Sequence, residues 1–258
     1  MSKLLDKLNR AAQGESKPFG FATSASKSAL PQILTIAKSQ IDVVAKTMPG
    51  SNIDAVLLSV ADVSKAIDSL KNMGKELEPV IWGIEATTIS KKEAEQLVKI
   101  GCDFILLKLT NPAPALMSDE SLGKLIAVSP SIDDTLIRAM SMLNIDVVVI
   151  NEDANTKTVT LERLMMYNRL AAIVQQPVLI SLPINLAKEN LEVLHDTGIK
   201  GLILDWTGTA TDKKVAELKK AIDALPKSKP ARNKKKRFSA TLPSISGPSP
   251  EEDDDSEE

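Results

Sequence analysis

Eight short apolar runs, each followed by a segment with helical periodicity, recur along this chain and restrict its fold more than any other feature. They occupy 19–24, 54–60, 79–86, 103–109, 124–129, 145–151, 177–182 and 200–206. Runs of four to seven aliphatic residues bounded by Gly, Pro or Asn fit strands buried on both faces, as parallel sheets require. Aromatic residues are only 3% of the sequence, so the core must be built from Leu, Ile, Val and Ala.

The segments between the runs carry helix start and stop signals. Ser90 to Glu93 reads as a capping box, in which the Ser oxygen takes a free N–H and the Glu reaches back. Ala94, Leu97 and Val98 form the stripe behind it, and Gly101 stands where a left-handed residue ends a helix. Asp62 opens a helix bearing Val63, Ala66, Ile67 and Leu70, which Gly74 is expected to close. Asp133 opens the stripe Leu136, Ile137, Met140 and Leu143; Gly198 closes the segment with Leu191 and Leu194; Val215, Leu218, Ile222 and Leu225 form the last stripe. Pro31 reads as the start of a long first helix running to about Lys46, a position where its missing N–H costs nothing.

Eight strand-then-helix units with right-handed crossovers leave an open doubly wound sheet or a closed barrel. No Gly-rich dinucleotide turn follows the first run, and the count is eight, so the expected fold is α/β: a (β/α)8 TIM-like barrel over residues 15–225. The stretch TNPAPALMSDESLG holds too many prolines for more than one helical turn, so the fourth helix should be missing or vestigial. Residues 1–14 read as a short amphipathic helix with Leu4, Leu5, Leu8 and Ala11, lying over one end of the barrel. Residues 226–258 lack apolar periodicity and read as a disordered tail, basic and then acidic.

Composition narrows the partners. The tail holds seven basic and seven acidic residues, which leaves 25 and 27 in the rest of the chain, a mildly acidic body with no field to attract nucleic acid. The segment 232–238, with Lys234 to Arg237 beside Phe238, is the one route to nucleic acid, and the expected reading is instead a solvated tail whose basic and acidic blocks screen one another. A single cysteine, Cys102, permits no internal disulfide, the start lacks the pattern of a secretory leader, and no run is long enough to span a bilayer. The expected location is the cytoplasm, and the expected partner is a small molecule at the barrel mouth.

Barrel enzymes place reacting groups at the carboxyl ends of the strands. Polar residues fall there with one alternation phase: Ser24, Ser59, Glu85, Lys108, Ser129, Ser181 and Asp205. At the sixth run Asn151, Glu152 and Asp153 crowd the end, and Asn151 and Glu152 join the candidate binding set. Glu85, Lys108 and Asp205 form the candidate catalytic set. A lysine held among apolar walls can lose its proton and attack a carbonyl, with a carboxylate moving protons beside it. With the glutamate in GIEATT on strand three and the lysine in LLKLT on strand four, the layout resembles the Schiff-base aldolases of the transaldolase group. The first run, FGFATS, lacks an aspartate at the matching place. An ion pair between lysine and a neighbouring carboxylate explains the same letters without catalysis.

Thr207, Gly208 and Thr209 lead into the last helix and form a second candidate binding element, for a phosphate or other anion; a Thr/Gly-rich turn with Thr211 or Asp212 as N-cap explains the same letters, and Asp205 and Asp212 argue against a bare anion. The lone histidine, His195, falls late in the seventh helix, far from the strand ends, so a histidine–metal centre is not expected. A carboxylate-only magnesium site from Glu85, Glu152 and Asp205 is the one metal arrangement left open. The sequence names no cofactor.

Overall fold

In the computed structural model, residues 2–13, 33–45, 52–110, 114–152 and 156–225 are described. The run at 19–24 with Ser24, Asp153, and the tail from 226 lie outside them.

Eight parallel strands close in sequence order into one barrel. They are β1 (Leu34–Gln40), β2 (Ala55–Val60), β3 (Ile81–Ala86), β4 (Phe104–Lys108), β5 (Gly123–Val128), β6 (Val147–Asn151), β7 (Val178–Ser181) and β8 (Gly201–Asp205). The first strand is therefore not 19–24 but Leu34–Gln40, inside the segment expected to be the first helix. That segment carries both periods. Leu34, Ile36 and Lys38 alternate with Thr35, Ala37 and Ser39, while Ile33, Leu34, Ala37, Ile41 and Val44 also suit a helix. Closure decides between them, because β1 pairs with both β2 and β8 and leaves no sheet edge. The helix that follows, α2 (Ile41–Val44), has only four residues.

The other helices are α3 (Val63–Leu77), α4 (Lys91–Lys99), α5 (Asp134–Met140), α6 (Leu161–Ile173), α7 (Ile184–Glu189), α8 (Leu191–Asp196) and α9 (Thr209–Asp223). Between β4 and β5 there is one five-residue 3-10 turn, Pro114–Ser118, the reduced fourth helix. Asp62, Ser90 and Asp133 cap α3, α4 and α5, and the reciprocal Ser90–Glu93 box is complete. Gly101 takes the left-handed conformation just past α4. Gly74 does not end α3, which runs three residues further. A Cβ at Gly74 would lie 2.9 Å from the Ile100 carbonyl and 3.0 Å from the Trp82 ring, so this glycine allows close packing rather than a turn. Within the expected α5 stripe, Ile137 and Met140 are buried but Leu136 and Leu143 are exposed.

Two apolar layers result. Trp82, Ile84, Ile105, Leu107 and their neighbours pack outward under the helices. Leu34, Ile36, Leu57, Ile81, Phe104, Leu125, Val149 and Ile203 fill the lumen, joined by Leu4 and Leu8 of the N-terminal helix α1 (Lys3–Gln13). Helix α1 thus plugs the end where the strands begin. Asp103, just before β4, anchors it by accepting from the Ser2 hydroxyl and from the Lys3 and Leu4 amides at 2.6, 2.7 and 2.9 Å.

A fourfold repeat, visible once the strands are placed, precedes the even-numbered strands: Asn-Ile-Asp54, Gly-Cys-Asp103, Asn-Ile-Asp146 and Gly-Ile-Lys200. In each, the third residue's amide donates to the preceding odd strand, at the carbonyls of Thr35, Trp82, Lys124 and Val178. Asp54 and Asp146 return the bond, accepting from the Thr35 and Lys124 amides at 2.9 and 2.8 Å. The repeat fixes strand register at the stable end of the barrel and leaves the opposite end free for variation.

Candidate active site at the barrel mouth

Because residues paired across parallel strands face the same way, the aliphatic lumen sets the direction of every strand end. Lys38 follows Leu34 and Ile36, Ser59 follows Ala55 and Leu57, Glu85 follows Ile81 and Gly83, and Lys108 follows Phe104 and Leu106. Asn151, Ser181 and Asp205 share that phase on β6, β7 and β8, and Ser129 shares it one residue past β5. A ring of polar, half-buried or exposed side chains therefore lies above a sealed apolar core.

Within the ring the closest constellation is Lys38, Ser59 and Glu85. The Lys38 Nζ lies 2.8 Å from the Glu85 Oε2, and the Ser59 hydroxyl donates to that same oxygen at 3.2 Å. Their positions follow from register. Ser59 pairs with Gln40 on one side and Glu85 on the other, so Lys38 reaches across β2 to β3. Lys38 also stands directly opposite Asp205 of β8. The side chains of Lys38 and Glu85 are 26% and 17% exposed, sheltered enough to strengthen their attraction and open enough for a ligand to compete.

Lys38 is missing from the sequence-based site because β1 was expected elsewhere. The Leu34-x-Ile36-x-Lys38 alternation is the signal that could have found it. The lysine that meets Glu85 is Lys38, not Lys108. Lys108 is exposed at the end of β4, and it and Asp205 make no ion pair or hydrogen bond among the described residues. Asn151 and Ser181 are register partners on the far side of the mouth. Ser129 hydrogen-bonds with the Ser131 hydroxyl, 2.9 Å away.

Glu152 faces the other way. With Asn151 turned inward, the next side chain goes outward, where its carboxylate is 1% exposed and paired with Arg163 of α6. It accepts from the Tyr167 hydroxyl at 2.6 Å and the Thr156 hydroxyl at 3.3 Å. Burial pushes the Tyr167 phenol up to about 12, with Arg163 pulling the other way. Glu85, Glu152 and Asp205 therefore do not converge, and the described residues contain no cluster of three or more metal-ligating side chains.

At the last loop, α9 begins at Thr209 with Gly208 as its N-cap at φ +117°, earlier than the expected Thr211 or Asp212. Those two side chains are already engaged. The Thr211 hydroxyl lies 3.0 Å from that of Thr207 and accepts the Thr207 amide, and Asp212 accepts from the Trp206 indole at 2.7 Å. Asp212 thus puts a carboxylate in the first turn of the helix, and its charge opposes a bound anion there. His195 lies in the last turn of α8, its Nδ1 3.7 Å from Asp196. Cys102 is buried at the start of β4, its thiol donating to the Phe104 carbonyl and pushed far above its ordinary pKa by burial. No described helix is long and apolar enough to cross a membrane.

No known family profile matches the chain, and no curated protein does. Among solved structures it resembles tryptophan synthase from M. tuberculosis, with a TM-score of 0.52 at 12% identity over 74% of this chain and 90% of that one. The tryptophan synthase α-subunit of Pyrococcus furiosus gives 0.53 at 11% over 76% and 98%. The N-(5′-phosphoribosyl)anthranilate isomerase of the same organism gives 0.51 at 17% over 74% and 100%. At these identities the likeness establishes the TIM-barrel fold.

Proposed function

We propose that the chain is a lyase- or aldolase-like enzyme acting on a small carbonyl-bearing or phosphorylated metabolite at the barrel mouth, with Glu85 as the proton-transfer group. The observation that carries this reading is the Lys38–Glu85–Ser59 constellation at the carboxyl ends of β1–β3. A carboxylate held by one cation and one hydroxyl keeps an oxygen for a substrate C–H or O–H, and Lys38 can turn toward the negative charge that develops on a carbonyl oxygen. The exposed Lys108 and Asp205 complete the rim as recognition groups, joined by Asn151, Ser181 and Ser129. Amine attack by Lys108 is the weaker version, since this lysine is exposed and it is Lys38 that pairs with Glu85. Solved barrels of similar shape include an isomerase and a synthase by name, an analogy of fold only.

The same pair also supports a second reading, a non-catalytic barrel that binds or scaffolds, because Lys38 and Ser59 already hold one oxygen of Glu85 in a structural ion pair. One experiment separates the two. The protein is incubated in deuterated water with a panel of carbonyl and phosphorylated metabolites, and deuterium at carbon is followed by NMR. The enzyme reading expects exchange into at least one compound, lowered about 100-fold or more by Glu85→Gln in a protein that melts like wild type. Borohydride trapping at Lys108 in the same panel would shift the chemistry to the amine. No exchange, no trapping and no ligand-dependent rise in Tm would leave the scaffold.

A further inference from the structure

The register of the eight strands fixes how the mouth is layered. Followed strand by strand round the barrel, the paired residues return to β1 eight positions lower, a stagger of one residue per strand. With that stagger, inward side chains from alternate strands share a level, four to a layer. Lys38, Glu85, Ala127 and Ser181, from the odd strands, make the floor of the mouth. Ser59, Lys108, Asn151 and Asp205, from the even strands, make the layer above it. Two observations agree with this. The Lys38 ammonium meets Glu85 two strands away, at 2.8 Å, as neighbours within one layer should. All four floor residues are half-buried, whereas Lys108, Asn151 and Asp205 above them are exposed.

The upper layer holds one cation and one anion, Lys108 on β4 and Asp205 on β8. Four strands apart in a barrel of eight, they stand on opposite sides of the opening. Neither forms an ion pair or hydrogen bond among the described residues. Asp205 starts beside Lys38 in register, but the Lys38 ammonium turns to Glu85 and leaves it open. Charge at the mouth is balanced, Lys38 and Lys108 against Glu85 and Asp205. An anion bound at Lys108 alone therefore faces two carboxylates, and a cation bound at Asp205 alone faces two ammonium groups. A ligand carrying both charges meets its complement at each end. Ala127, on β5 beside Lys108, is the smallest side chain of the floor and gives the carbon chain of such a ligand a seat.

We propose that the mouth takes a small zwitterion, with a carboxylate or phosphate bound by Lys108 and an ammonium group bound by Asp205. Such a molecule lies across the Lys38–Glu85 pair, with the Asn151 amide at its flank. The zwitterion is the substrate class of the enzyme proposed above, and it rests on that reading of the mouth.

The test is a ligand-observed NMR titration of the full-length chain with two series of increasing chain length, ω-amino carboxylates and ω-aminoalkyl phosphates. Each compound is set beside the alkyl acid and the alkylamine of the same length. The proposal expects one length in at least one series to bind about tenfold more tightly than either singly charged counterpart, since each end adds a charge-assisted hydrogen bond. Lys108→Gln should lower that affinity to the level of the amine alone, and Asp205→Asn to the level of the acid alone, both in proteins that melt like wild type. The two series tell a carboxylate from a phosphate at Lys108. Singly charged compounds that bind as well as the zwitterions overturn the proposal. So does a zwitterion whose advantage survives both substitutions, or an absence of binding in both series. Binding is read without turnover, so the two readings fail separately. A zwitterion that binds without deuterium exchange keeps this inference and ends the enzyme reading; exchange into a compound lacking an ammonium group does the reverse.

Discussion

The missing side chain of Gly83 is a packing requirement of the lumen. A Cβ there would lie 2.3 Å from the Phe104 carbonyl oxygen and 2.5 Å from its ring, and a backbone oxygen in a strand ladder cannot give way. Gly83→Ala should therefore cost about 1–3 kcal/mol or more by overpacking, read as a fall in the urea midpoint at unchanged slope. Gly208 makes the contrast. Its φ of +117° is unsuited to other residues, but nothing lies within 4 Å of its would-be Cβ, so Gly208→Ala should cost only the backbone strain, about 1–2 kcal/mol. Glu152 gives a third residue-scale expectation. Its carboxylate holds Arg163, Tyr167 and Thr156 on the helix side of β6, so Glu152→Ala should cost about 3–5 kcal/mol and leave ligand affinity at the mouth unchanged. Calorimetry with any ligand found for the barrel checks both halves of that expectation; a loss of affinity without a loss of stability would return Glu152 to the binding set.

At the scale of elements, α1 and the barrel floor act as one unit. Asp103, just before β4 and a hundred residues away, supplies the cap of α1, and Leu4 and Leu8 close the lumen over Phe104 and Leu34. Asp103→Ala should cost about 1–2 kcal/mol in the intact chain. In a chain lacking residues 1–13 the same substitution should cost almost nothing, because the donors it would strand are gone. A denaturation double-mutant cycle measures the difference. The elements also show which information was local. Caps such as Asp62, Ser90 and Asp133 are legible because the signal and the bond lie within three residues. The reduced fourth helix is legible for the same reason, since prolines act where they stand. β1 was not, because its residues satisfy two periods and only pairing with β2 and β8 chooses between them. That one misplacement hid Lys38, and with it the partner of Glu85. The outward turn of Glu152 needed the end of β6 to within one residue, which three successive polar side chains obscured.

For the whole molecule, pH dependence follows from where charge is held. Asp62, Asp119 and Asp133 are kept below the ordinary carboxylate range mainly by hydrogen bonds from nearby Ser, Thr and Lys groups, and Glu217 by Lys188. A carboxylate held low in the folded state contributes stability above its unfolded pKa and loses it as pH falls through the folded one, so acid loss begins below about pH 4. These groups are exposed or half-buried, and the acid limb should be shallow. The alkaline limb has a more specific origin. Burial raises the Tyr167 phenol from its usual 10.0 to about 12, so between those values the unfolded chain has released a proton that the folded one still holds. Stability supplied by Tyr167 is thus complete below pH 10 and lost as pH climbs toward 12. Lys200 acts with the opposite sign. Desolvation lowers its pKa, so the folded chain releases its proton first and stability rises as pH passes from that lowered value toward 10.5. The two effects overlap, and a single pH–stability curve would blend them. Tyr167→Phe isolates one: below pH 10 the variant should be less stable by a constant amount, the lost hydrogen bond to Glu152, and above pH 10 the gap to wild type should close. Urea midpoints from pH 8 to 11.5 measure that gap directly, and a gap that stays constant across the range would mean that the phenol titrates alike in the folded and unfolded chains.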